Sequence, residues 1–183
     1  MAISESLIAH HEAAHAVLAL DLGCQLEYVA LVTDGDSGGH IHADSLAHRS
    51  QYGHDVQAFI ADCENEAMIA LAGPYAMQKF KPCRTKLKQQ RYIQAAQDDI
   101  DYARNCALGI ALARLENQIP QGTEVITQEH NRAAAEEHQR VCAKTERLIS
   151  ERWDAICRVA AELQKRRVLL RNDIDALINP RLG

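Results

Sequence analysis

The pentapeptide His11-Glu12-Ala13-Ala14-His15 constrains this chain more than any other stretch. Two histidines four residues apart project from one face of a helix, so their imidazoles can share a metal ion only if the segment is helical. Glu12 then lies beside that ion, where it can accept a proton from a water held there, the chemistry of a metal-dependent peptide hydrolase. The constraint reaches beyond the helix. Zinc needs a third protein ligand, so another element has to pack against this face and supply it.

The flanking residues fit a helix. Ser4 suits the N-cap, Glu5 the positive helix end, and Gly23 the left-handed position after the last turn. Leu7, Ala14, Leu18 and Leu22 share the stripe of the two histidines, which therefore face inward. A buried histidine pair without a ligand would have to be neutral and hydrogen-bonded, and that arrangement gives no reason for Glu12 between them.

Composition bounds the rest. With 183 residues and 47% hydrophobic content the chain is long enough for one domain, 1–183, with a substantial core. Aromatics are only 4%, so alanine, leucine and isoleucine fill that core, which favours close-packed helices over a sandwich or barrel. The formal charge of −5 argues against nucleic acid as a partner, and the basic residues Lys79, Lys81, Arg84, Lys86, Lys88 and Arg91 read as a solvated loop and helix start. Cys24, Cys63, Cys83, Cys106, Cys142 and Cys157 form no CxxC pair and are expected as reduced thiols of a cytoplasmic protein. No apolar stretch approaches the roughly 20 residues that span a bilayer, and the first helix carries chemistry rather than a targeting signal.

The fold expected is mainly α with a small β-sheet or hairpin. Gln25 to Val32 is a β-favouring run, ended by the breakers of 33–39, and His40-Ile41-His42-Ala43 is a short second strand. His40 and His42 share a face by alternation and are expected exposed. An exposed edge of this sheet beside the first helix could take an extended peptide by strand addition. A second helix starts at Asp55, with Val56, Phe59, Ile60, Cys63, Ala67, Ala70 and Leu71 on its apolar stripe, and Gly73-Pro74 bends or breaks it. A third helical region runs from about Gln89 to Gln118, with Ile93, Ala96, Ile100, Ala103, Ala107 and Ile110 on the buried side. Gly122-Thr123 opens a long helical stretch to about Lys165, and Asn172-Asp173 caps a short helix through Ile178.

The third ligand is drawn from Asp98, Asp99, Asp101, Glu64 and Glu66, the acidic residues of these helices. Asp99 precedes Ile100 and lies four residues before Ala103, close to the inward stripe; Asp101 points elsewhere. Spacing alone does not choose among the others.

HEAAH, Ala72-Gly73 and Ala96-Gln97-Asp98-Asp99-Ile100-Asp101-Tyr102-Ala103 together resemble the peptidase domain of the FtsH family of zinc proteases. That family carries HEAGH, a Gly-Gly-Arg-Ala-Ala-Glu helix and a Gly-Ala-x-Asn-Asp-Leu segment whose second acidic position is the third zinc ligand. The matching residue here is Asp99. Leu26 to Ala43 is similar to the family's strand, loop and strand, and Trp153 to Ile178 to its C-terminal helices.

The resemblance implies Zn2+ held by His11, His15 and Asp99, with Glu12 as general base of a zinc endopeptidase. Three departures stand out: Ala14 replaces a glycine, Pro74 and Met77 replace arginine and glutamate, and Asp98 replaces asparagine. No GxxxxGK[ST] occurs, so the family's ATPase and membrane helices have no counterpart here. Substrates are then expected to be peptides or unfolded protein segments, or proteins delivered by a separate ATPase. The family's hexamer is the homo-oligomer the resemblance suggests. The alternative is a metal-binding regulatory or adaptor domain that keeps the fold with little or no proteolysis.

Overall fold

Alanine-rich helix faces and two short antiparallel pairings organise the molecule in the computed structural model, which describes residues 4–31, 40–43, 55–83 and 85–179. The elements run α1 (Glu5–Asp21), β1 (Leu26–Ala30), β2 (His40–Ala43), α2 (Val56–Phe80), α3 (Lys86–Ala95), α4 (Gln97–Glu116), α5 (Gln128–Glu151), α6 (Trp153–Arg166), β3 (Val168–Leu170) and α7 (Arg171–Ile178). The class is mainly α with a small antiparallel sheet, as the sequence indicates.

Helix α1 is central rather than one-sided. Leu7, Ala9, His10, Glu12 to Ala19 are all buried, because α2 covers one flank and α6 another. Small side chains let those neighbours approach closely, and a helix apolar on all sides belongs in an interior. Its end is set by Gly23 at φ +84°, where Cys24 N–H donates to Ala19 O at 2.8 Å and Gly23 N–H to Leu20 O at 3.2 Å. These are the two bonds of a Schellman motif. At the other end the Ser4 side chain makes no capping bond; only its carbonyl accepts from Leu7 and Ile8.

Two apolar clusters flank α2. One gathers α1, β1, α6, β3 and α7 around Val17, Val29, Ile156, Leu163, Leu169 and Ile174. The other joins α2, α4 and α5 through Phe59, Ile60, Leu71, Ile110 and Val141. α2 is therefore the wall between them, and both of its faces are held.

That position explains why, of the bend or break expected at Gly73-Pro74, no break occurs. α2 continues through Gly73-Pro74 to Phe80 instead of breaking there. Proline costs a backbone donor and crowds the preceding residue, but Gly73 has no Cβ to clash, and packing on two sides keeps the helix together. Asp55 caps it as expected, accepting from Ala58 N–H at 2.9 Å.

The 89–118 region is two helices, α3 and α4, separated at Ala96 (φ −116°, ψ 22°), and Ile93 on α3 is 45% exposed rather than buried. The stretch expected from Gly122 starts only at Gln128, where Thr127 accepts from His130 N–H, and it divides at Arg152 into α5 and α6. Arg152 there forms a two-pronged ion pair with Asp21, tying the joint to the end of α1. Asp173 caps α7 by accepting Leu170 N–H at 3.1 Å.

The sheet has order β2-β1-β3. Both neighbours run antiparallel to β1, with Val29 opposite Ile41 on one side and Leu169 on the other. Val32 and the 33–39 loop lie outside the described residues, as do the side chains of His40 and His42. No helix among the described residues is long and apolar enough to cross a membrane. All six cysteines are unbridged.

Candidate metal centre

Three elements converge on one point. α1 presents His11 and His15 one turn apart, and α4 presents Asp99 from its first turn. His11 Nε2 and His15 Nε2 are 2.9 Å apart, and Asp99 Oδ2 lies 3.2 Å from the first and 3.6 Å from the second. Tetrahedral zinc with bonds of about 2.0–2.1 Å separates its ligand atoms by roughly 3.3 Å. These three atoms already form such a face. They are the one group of three metal-ligating side chains that draws this close among the described residues.

The backbone of α2 closes the back of the site. At Gly73 an added Cβ would sit 2.5 Å from His11 Nδ1 and Cε1 and 2.5 Å from His15 Nε2, far inside contact distance. Glycine is thus required for α2 to lie directly against both rings. Its neighbours one turn away orient them. Ile69 O is 2.7 Å from His15 Nδ1, and Met77 Sδ is 3.2 Å from His11 Nδ1. A carbonyl at Nδ1 fixes the proton there and leaves Nε2 with a lone pair for a cation.

The charges agree with a cation site. Burial pushes His15 toward the neutral form, but the Asp99 hydrogen bond and charge, the Glu12 charge and the Ile69 carbonyl outweigh it and raise its pKa. For Asp99, burial favours the neutral acid, yet hydrogen bonds and charge from His11 and His15 hold the carboxyl well below the usual carboxylate range. Asp99 is therefore the counter-charge for whatever cation lies between the imidazoles, a proton or a metal ion. Nitrogen, nitrogen and carboxylate oxygen suit zinc chemically.

Glu12 is 6% exposed and its Oε1 lies 3.9 Å from His11 Nε2, at the rim of the ligand face. The side chain of Asp99 is 29% exposed against 13% and 7% for His11 and His15, so the cluster opens on the α4 side.

The other acidic candidates are elsewhere. Glu64 pairs with Lys144 and Arg140, Asp101 is exposed against Gln97 and Arg104, and Asp98 is exposed. Glu66 is buried and accepts from Tyr102 Oη at 2.7 Å, joining α2 to α4 one turn along from Asp99. His10, although next to His11, faces away and stacks on Phe80 at 3.7 Å between centroids. Gly73, Ile69 and Met77 were not among the ligand candidates. A glycine placed before proline inside an otherwise good helix is the available signal for the first, and Met77 stands out as a departure from the resembling family; Ile69, 54 residues from His15, carries no local signal. No model of a known protein family matches the chain, and no curated protein matches its sequence significantly.

Proposed function

We propose that the chain is a zinc-dependent endopeptidase similar to the FtsH peptidase domain, acting on peptides or unfolded segments. The convergence of His11 Nε2, His15 Nε2 and Asp99 Oδ2 with Glu12 at its rim carries this reading. Bound there, zinc supplies Lewis acidity, which acidifies a water and polarises a peptide carbonyl. Glu12 takes the proton of the attacking water as its oxygen bonds to the carbonyl carbon. The same carboxyl returns that proton to the amine nitrogen as the C–N bond breaks. Asp99 balances charge, and Ile69 O keeps His15 in the ligating tautomer.

The sheet supports a mode of substrate presentation. Among the described residues β2 is an edge strand in contact with α1, which supports strand addition as the way a peptide is brought to this helix. Delivery by a separate ATPase and assembly as a hexamer belong to the same proposal. A metal-binding adaptor is the second reading, favoured by Met77 where the resembling family has glutamate, which leaves His11 with a weaker supporting partner.

Cleavage of an unfolded casein by zinc-loaded chain and by Glu12→Gln separates the two. The expected result is chelator-sensitive cleavage that drops at least 100-fold in the variant while its zinc stays bound. Equal cleavage by both would remove Glu12 as the base. No cleavage by the loaded wild type, alone or with ATPase, would leave the adaptor.

A further inference from the structure

We propose that Met77 is a positioning residue of this centre and makes His11 the more weakly held of the two imidazole ligands. The inference rests on the zinc reading above and concerns what stands behind each ring. Both imidazoles present Nε2 to the ligand face, so each carries its proton on Nδ1 when a metal is bound. His15 gives that proton to the Ile69 carbonyl at 2.7 Å. His11 gives it to the Met77 thioether at 3.2 Å.

The two acceptors are unequal. A backbone carbonyl is a full hydrogen-bond acceptor, whereas a thioether is a weak one on a flexible, unbranched chain. An outer partner does two things for a ligating histidine: it fixes the ring, and it feeds electron density to the metal-bound nitrogen. His15 receives both from Ile69. His11 receives the first from being clasped between Gly73 and Met77, and little of the second. Met77 is only 2% exposed, so its thioether is held in the interior beside the ring. A bound metal would therefore be held less firmly by His11 than by His15, and residue 77 would tune its affinity without any change in the ligands.

The test is zinc affinity by chelator competition on the full chain, comparing wild type with Met77→Leu and Met77→Gln. Leucine keeps the volume and deletes the acceptor; glutamine keeps an unbranched chain and offers a carbonyl oxygen. Loss of outer partners costs metal sites about 10–100-fold, and a thioether belongs at the low end, so Met77→Leu is expected to weaken zinc about tenfold. Met77→Gln is expected to bind at least as tightly as wild type. Equal losses in both variants would mark Met77 as packing only, and unchanged affinity in folded Met77→Leu would overturn the proposal outright.

If Met77→Leu does not fold, the 1H–15N ring spectrum of zinc-loaded wild type decides. A proton on Nδ1 of His11, exchanging faster than that on His15, supports the inference, and a proton on its Nε2 overturns it. A wild type that takes up no zinc would instead overturn the metal reading itself, before residue 77 is reached.

Discussion

The two faces of α2 solve opposite packing problems. Toward α1 the wall is Gly73 with Ala72 and Ala76 nearby, and the helix backbone lies against two imidazole rings. Toward α4 and α5 it is Phe59, Ile60 and Leu71, interlocked with Ile110 and Val141. The first face gives up side-chain volume to gain proximity, because a metal ligand set needs its atoms within a few ångströms of one another. The second fills space, which is what stabilises a core. Adding a methyl should therefore damage the first face, and removing atoms should damage the second.

Two helical glycines make the contrast sharp. Gly73→Ala is expected to have the largest effect, since its Cβ would fall 2.5 Å from three ring atoms. Either α1 or the rings must move, and zinc affinity by chelator competition should fall by at least about 100-fold. On the far face, Ile110→Ala should cost about 2–5 kcal/mol in urea unfolding, because Ile110 is fully buried, while folded protein keeps its zinc stoichiometry. Loss of zinc from folded Ile110→Ala would show that the two faces are not separable.

A smaller effect is expected where the faces communicate. Tyr102→Phe removes the hydroxyl that donates to the buried Glu66 carboxylate at 2.7 Å, and should cost about 1.5–3 kcal/mol in the same unfolding experiment. An unchanged midpoint would mean this link between α2 and α4 carries no net stability. The smallest effect has the opposite sign. At Gly109 an added Cβ meets Phe59 Cζ at 3.6 Å and Cys63 Sγ at 3.9 Å, ordinary contact distances. Gly109→Ala should stabilise by about 0.5–1 kcal/mol through helix propensity, raising the melting temperature by about 1–4 °C. A destabilised Gly109→Ala would place both glycines in the same tight class.

The same contrast governs what was legible in the sequence. In α1 the motif and Gly23 are local signals and legible, whereas burial on every side of the helix and the absence of a Ser4 side-chain cap are not. Asp99 stood near the inward stripe, and with the resemblance it was singled out among five acids. Gly73 reads in the sequence as a bend or break before Pro74 and as part of the Ala72-Gly73 pair of the resemblance; that it faces rings on another helix is encoded by no periodicity within α2. β3 escaped because three residues between two helices carry no alternation to read. Residues 119–127 are non-helical although Gly122-Thr123 reads as a helix start, because the side-chain cap is supplied by Thr127 instead. Ile93 fits the inward spacing of a continuous helix, and the break at Ala96 turns it outward.

The most direct test of the centre is X-ray absorption at the zinc edge on loaded wild type beside Asp99→Asn, with bound zinc counted on both. The expected result is one zinc per chain, with two imidazole nitrogens and an oxygen at about 2.0–2.1 Å and no sulfur, and a marked loss of zinc from the variant. Sulfur at about 2.3 Å, or full zinc retention in Asp99→Asn with an unchanged spectrum, would contradict the ligand set.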